Sequence, residues 1–239
     1  MSWQPFHRSK EQAATLDGIR RRARENPGAT AVFDLDGCLF DTRPRQVYIL
    51  REYANQFGVW PLYAVGVEHF VDWHLDNTLR NAGLEASLID QLRKPLGAFW
   101  WDRFFDGDYL VHDLPMPGSV RLVRDVRLAG LRCVYLTGRH TPMRAGTEAA
   151  LRRHGFPFDD DRTELIVKRH IDDDDTVYKR QALESIQGEI VLFLDNEPSN
   201  VNAFADSHPE ALVVWLRTDH SPRPVRVYGN LPRLFGFLS

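Results

Sequence analysis

Only two cysteines, Cys38 and Cys133, occur in 239 residues. They leave no disulfide framework, and so few cysteines fit a reducing compartment. Long apolar runs are missing too. The longest, such as Ala211 to Leu216, are strand-length, and none can span a bilayer as a helix. The first residues carry Trp3, Gln4 and Pro5 and then charges, with no apolar signal core. Net charge is only −3, so no general electrostatic force draws the chain to nucleic acid or to an anionic membrane. There are no repeats and no low-complexity tracts, and the spacings GxGxxG, G-x-S-x-G and HExxH do not occur. The acidic runs Asp159–Asp161 and Asp172–Asp175 lack the spaced ligands and glycine of a calcium loop. These absences predict a soluble cytoplasmic protein with no membrane partner. Its composition, 43% hydrophobic and 26% charged, is ordinary, and its length allows one sizeable core and a second small one.

Ala31-Val32-Phe33 is a short apolar run that stops at Asp34-Leu35-Asp36-Gly37. Such a run predicts a buried parallel strand ending at a polar edge, where open α/β sheets bind ligands. Before it, residues 10–26 predict a helix carrying Arg20, Arg21, Arg22 and Arg24, closed by Pro27-Gly28 and reading as a solvated face. After it, residues 43–113 show helical spacing only. Val47, Leu50, Ala54 and Phe57 mark one helix, stopped by Gly58. Val67, Phe70, Val71 and Leu75 start a second, ending near Gly83. Leu84, Leu88 and Leu92 mark a third, ended by Pro95, and Phe99 to Phe105 a fourth. Trp73, Trp100, Trp101 and Phe104 read as the core of this segment.

From Pro115 onward, strands alternate with helices. Leu122, Val123, Val126 and Ala129 line one helix face. Arg132 to Leu136 is a strand ending in Thr137-Gly138-Arg139, and Thr141-Pro142 offers an N-cap and first helical residue. Leu165 to Val167, Ile190 to Leu194 and Ala211 to Leu216 are further strands. This alternation predicts an α/β fold, a doubly wound parallel sheet built from residues 1–42 and 114–239, with a small all-helical domain inserted at 43–113.

Polar groups at three strand ends can converge: Asp34 with Asp36, Thr137, and Asp195. Lys179, placed in the first turn of a helix, opposes the helix dipole. A local rule broken at such a junction points to function. In order and spacing, these residues resemble the motifs of the haloacid dehalogenase superfamily. Asp34-Leu35-Asp36-Gly37 matches the first motif, Thr137 the second, Lys179 the third and Asp195-Asn196 the fourth, over residues 30–216. Two positions depart from the family's pattern. Cys38 stands where threonine is common, and Asn196 follows Asp195 where a second acid is usual. About a hundred residues separate the first two motifs and about forty the second from Lys179, so the inserted segment is a cap between motifs one and two.

The resemblance implies a Rossmann-like core and a Mg²⁺-dependent phosphatase of a small phosphorylated metabolite. Asp34 would be the nucleophile, and Asp34, Asp195 and the Asp36 carbonyl the metal ligands. Asp36 would serve as acid and then base, while Thr137, Gly138 and Lys179 would hold the phosphoryl group. Asp36 argues against carbon–halogen cleavage, whose enzymes lack it. A phosphomutase or other phosphotransferase on the same scaffold, or a non-catalytic binding protein, are the alternatives.

Overall fold

The computed structural model describes residues 10–238, so the expectation for Trp3, Gln4 and Pro5 lies outside the described residues. Helix α1, Lys10–Glu25, buries Leu16, Ile19 and Ala23 and ends before Pro27. Strand β1, Thr30–Phe33, is buried along its whole length. A two-residue strand β2, Phe40–Asp41, leads into helix α2, Arg43–Phe57. The glycine stop holds: Gly58 takes φ 70°, and its N–H bonds the Ala54 carbonyl.

The middle of the 43–113 segment differs from expectation in two places. Residues 67–69 form only a 3₁₀ turn, and helix α3 spans just Leu75–Asn81. The Asp72 carboxylate explains the late start. It accepts the His74 N–H at 2.7 Å and the Asn77 side chain at 2.8 Å, a local turn that competes with helix. The third and fourth expected helices are one helix, α4, Ala86–Phe104, running through Pro95. Proline removes the bond to the Gln91 carbonyl, but both residues lie on the exposed face, where water can serve that carbonyl. Ile89, Leu92, Leu96 and Phe99 keep a buried stripe on the other side. Trp100 stacks on Phe104 at 4.4 Å inside this cluster. Trp73 and Trp101 do not join it, being 57% and 50% exposed.

Strand β3, Leu114–Pro115, returns the chain antiparallel to β2, so the two short strands pair where the segment leaves and rejoins the sheet domain. Helix α5, Ser119–Leu128, follows and then β4, Arg132–His140. Thr141 opens a 3₁₀ turn rather than capping the next helix. Its hydroxyl donates to the Lys168 carbonyl at 3.3 Å, and helix α6 begins later, Arg144–His154. The chain continues through β5, Thr163–Lys168, α7, Asp175–Ser185, β6, Ile190–Asp195, α8, Pro198–Ser207, and β7, Leu212–Leu216. A last strand, β8, Arg233–Leu234, was not anticipated; two residues carry no readable periodicity.

The sheet order is β5-β4-β1-β6-β7-β8, and every pairing in it is parallel. Alternation along the strands builds two cores. Ala31, Phe33, Cys133, Tyr135, Leu192 and Leu194 face α1 and α5, whereas Val32, Val134, Leu136 and Phe193 face α7 and α8. Helices thus cover both faces, as a doubly wound sheet requires. Residues 43–112 close a third cluster of their own, with Leu50, Tyr53, Leu92 and Phe99 at its centre. No helix among the described residues is long and apolar enough to cross a membrane.

Candidate active site

The chain order reverses at β1, which lies between β4 and β6. That reversal opens a crevice at the carboxyl ends of the strands, the usual ligand site of such sheets. Asp34 follows β1 and Asp195 ends β6, so adjacent strands deliver both carboxylates to the same edge. Gly37 makes the turn after Asp36 with φ +72°. A Cβ there would lie 2.5 Å from the Asn196 side chain, so the turn needs glycine on both counts.

Lys179 joins the two carboxylates. Its Nζ donates to Asp34 Oδ1 at 2.5 Å and to Asp195 Oδ2 at 2.8 Å, and all three groups are buried. It stands in the second turn of α7, one turn further in than expected, and Asp174 caps that helix through the N–H groups of Thr176 and Val177. Asp195 is held further by the Glu197 N–H on Oδ1 at 2.8 Å and by Asn200 Nδ2 on Oδ2 at 3.0 Å. Asn196 and Glu197 face elsewhere. Asn196 donates to the Asp219 carbonyl, and Glu197 accepts from the N–H and hydroxyl of Ser221. Two acids therefore share one cation. Burial pushes the Asp34 carboxyl up to about 8; Lys179 opposes that, and the Asp195 charge adds to it. Burial works against the Lys179 ammonium, but its two carboxylates outweigh it and hold the charge on. Cys38 is buried beneath, its thiol 3.8 Å from the Leu194 carbonyl.

Thr137 and Gly138 lie on β4, three and two places before its last residue, His140. Between Thr137 and His140 the register against β5 shifts, so Gly138 and Arg139 form a bulge. Thr137 Oγ1 accepts the Arg139 N–H at 3.2 Å, and Gly138 packs against Asp175, where a Cβ would meet the carboxylate at 2.9 Å.

The bulge aims Arg139 at Asp36, a contact the sequence did not reveal. Arg139 Nε donates to both Asp36 oxygens at 3.1 Å, and Nη2 bridges Asp36 Oδ1 at 2.5 Å and Asp113 Oδ2 at 2.7 Å. Arg45, from the first turn of α2, closes the ring, with Nε 3.1 Å from Asp113 Oδ1 and Nη2 3.5 Å from Asp36 Oδ1. Its Nη1 bonds the Phe104 carbonyl, and its guanidinium lies 4.0 Å from the Phe104 ring centre. Burial would raise the Asp36 carboxyl, but Arg139 and Arg45 hold it below the ordinary range. Asp113, more deeply buried, is pushed up to about 6 despite the same two arginines. The available signals were slight: Arg139 follows Gly138 directly, and Arg45 and Asp113 sit at the ends of the inserted segment. Their partners are remote in sequence.

The family model of haloacid dehalogenase-like hydrolases matches residues 29–208. No curated protein matches the chain. Among solved structures, the chain is similar to the protein tyrosine kinase PtkA of Mycobacterium tuberculosis, at 19% identity and a TM-score of 0.53, covering 88% of this chain and 94% of that one. It is also similar to a provisionally assigned phosphatase of Clostridium difficile, at 12% identity and a TM-score of 0.50, covering 82% and 89%. At such identities the likeness concerns the fold alone; the family match spans most of the chain and includes all four strand-end and helix motifs. The chain belongs to the haloacid dehalogenase-like hydrolases.

Proposed function

We propose that this hydrolase is a Mg²⁺-dependent phosphatase that releases phosphate from a small phosphorylated metabolite through an aspartyl-phosphate on Asp34. The observation that carries the reading is the convergence of Asp34, Lys179 and Asp195 at the sheet's point of reversal, with Asp36 one turn away. Lys179 orients the Asp34 carboxylate through Oδ1 and adds fixed positive charge where an anionic ester would sit. Asp34 attacks phosphorus, and the leaving oxygen takes its proton from Asp36. Asp36 then takes a proton from the water that releases phosphate. The Thr137 hydroxyl and the Gly138 N–H hold phosphoryl oxygens. Residues 43–113, a cap with its own core, choose the substrate and exclude water.

The donor set suits the metal. Among the described residues no cluster of three or more His, Cys, Asp or Glu side chains is arranged to hold an ion. Mg²⁺ does not need one, because it keeps several waters and takes one or two carboxylates. Asp34 and Asp195, with the Asp36 carbonyl, would hold it, and the two acids share only one ammonium. When bound, it supplies the charge that lets a carboxylate approach a phosphate.

The test is a rapid acid quench with p-nitrophenyl phosphate and Mg²⁺, followed by mass spectrometry. The expected result is a phosphoryl group on the peptide containing Asp34, and its loss in Asp34→Asn with circular dichroism unchanged. Turnover should fall by about 10⁴-fold or more, the scale for removing a nucleophile. A folded Asp34→Asn protein with near-normal phosphate release would remove Asp34 from this role. A phosphopeptide without free phosphate would make the protein a phosphotransferase.

A further inference from the structure

Four charged side chains form a closed ring behind the catalytic edge: Asp36, Arg139, Asp113 and Arg45. Three of them are almost inaccessible to water, whereas the Asp36 side chain is 31% exposed. The ring therefore opens to solvent only at the carboxylate assigned to acid–base work. Two positive and two negative groups also balance, as a buried cluster must. The origins of the members are the informative part. Asp36 and Arg139 come from the sheet domain, while Arg45 and Asp113 lie near the two ends of residues 43–113, beside the β2–β3 pair. Arg139 spends its fork on both carboxylates and its remaining Nη1 on Thr147 Oγ1 at 3.3 Å. Its planar guanidinium fixes the plane of the Asp36 carboxylate as well as its position. Arg45 Nε and Nη2 and Asp113 Oδ1 make no hydrogen bond, although Arg45 Nε lies 3.1 Å from Asp113 Oδ1 and Nη2 3.5 Å from Asp36 Oδ1. Buried groups with unspent hydrogen-bonding capacity are poorly explained by stability alone.

We propose that Arg139, Asp113 and Arg45 are positioning residues that hold the Asp36 carboxylate in its working orientation, so that the acid–base step depends on the two ends of the helical segment. Arg139 touches Asp36 directly. Asp113 and Arg45 act through it, by fixing the fork and by drawing part of its charge away from Asp36. The proposal rests on the reading of Asp36 as acid and base. No covalent step is added; the ring alters the placement of a proton donor and acceptor.

The double variant Arg45→Met/Asp113→Asn removes one positive and one negative group, leaves the Arg139–Asp36 pair alone and keeps the cluster neutral. It is compared with wild type in the full-length protein with Mg²⁺ on two probes, glycerol 2-phosphate and p-nitrophenyl phosphate. Glycerol leaves poorly without a proton, and nitrophenolate leaves well unaided. The expected result is a kcat loss of roughly 10–100-fold on glycerol 2-phosphate, the scale of a displaced catalytic group. KM should be little changed, and the rate of the nitrophenol burst should stay within about twofold. Equal losses on both probes, or no loss on either, would overturn the proposal. Asp36→Asn separates this proposal from the reading beneath it. If Asp36→Asn slows glycerol release and the nitrophenol burst alike, the acid–base reading falls and the positioning proposal with it. If Asp36→Asn selectively slows glycerol 2-phosphate and the double variant does not, only the positioning proposal falls. In an Asp36→Asn background the double variant should add no further loss, because both act on one step; additive losses would show a merely structural role. Should the double variant fail to fold, Arg139→Lys keeps the charge without the fork, and the same ratio between the two probes decides.

Discussion

Asp34 and Asp36 are separated by one residue and live in opposite electrostatic surroundings. Asp34 shares a single ammonium with Asp195, so with both acids ionised the cluster would carry one uncompensated negative charge. Asp36 belongs to a ring in which two arginines balance two aspartates. Burial and Asp195 push the first carboxyl up to about 8, while Arg139 and Arg45 hold the second below its ordinary range. These are resting directions: a nucleophile has to lose its proton and a proton donor has to hold one, so a cation beside Asp34 and an anionic ester beside Asp36 would move each toward its task. Here the difference also says what each cluster lacks. The Asp36 ring is electrically complete. The Asp34 cluster is short of positive charge, which an added cation would supply.

The largest way to break this comparison is to unbalance the two clusters in turn. Arg139→Met leaves Asp36 and Asp113 with Arg45 alone and should cost about 3–5 kcal/mol, the usual penalty for stranding a buried charge. Asp34→Asn should cost less than about 1 kcal/mol without divalent cations. The amide still accepts the Lys179 bond, Lys179 keeps Asp195, and the amide matches the neutral form that burial favours in the Asp34 carboxyl. Urea denaturation of both variants in a chelator at fixed salt measures the difference. Similar losses would mean that the two clusters do not differ in charge balance as the geometry indicates.

This contrast was only half legible in the sequence. Asp34, Lys179 and Asp195 meet because apolar runs and helix signals place them on neighbouring elements at one edge, and runs of that length are readable. The sheet and its parallel order followed from the same alternation. Arg139 was visible only as the residue after Gly138, because the bulge that turns it toward Asp36 depends on pairing with β5 and leaves no local pattern. Arg45 and Asp113 meet across more than sixty residues of intervening chain, through a β2–β3 pair too short to show a period. Pro95 misled for a related reason. Its penalty is local, but the stripe from Ile89 to Phe99 that outweighs it is tertiary. The same holds for Trp73 and Trp101, whose size suggested a core they do not enter.

If the first cluster lacks a cation, Mg²⁺ should stabilise the protein through it and not through the ring. A hundredfold excess over the dissociation constant adds about 2.7 kcal/mol, or roughly 5–10 °C in Tm for a chain of this size. Thermal scans across a Mg²⁺ series should show this rise in wild type and lose most of it in Asp195→Asn. Arg139→Met should melt lower throughout yet keep its Mg²⁺ response. A response lost in Arg139→Met and kept in Asp195→Asn would move the metal to the other cluster.

Asn200 offers the smallest and most pointed change. It is the residue after Asp195 whose side chain touches that carboxylate, donating Nδ2 to Oδ2 at 3.0 Å. Asn200→Asp deletes that hydrogen bond and adds a third negative charge beside a single lysine. Both effects act in the same direction, and without metal they should lower stability by about 1–2 kcal/mol. The added oxygen is also a hard donor of the kind Mg²⁺ prefers. The variant should therefore respond to Mg²⁺ at several-fold lower concentration, and its melting temperature should converge on that of wild type as the metal is raised. Thermal scans of the two proteins over one Mg²⁺ series decide the matter. A constant gap between the curves would place the ion away from Asp195. A crossing or closing gap would show that the charge deficit around Asp34, rather than the shape of the site alone, sets how tightly the cation is held.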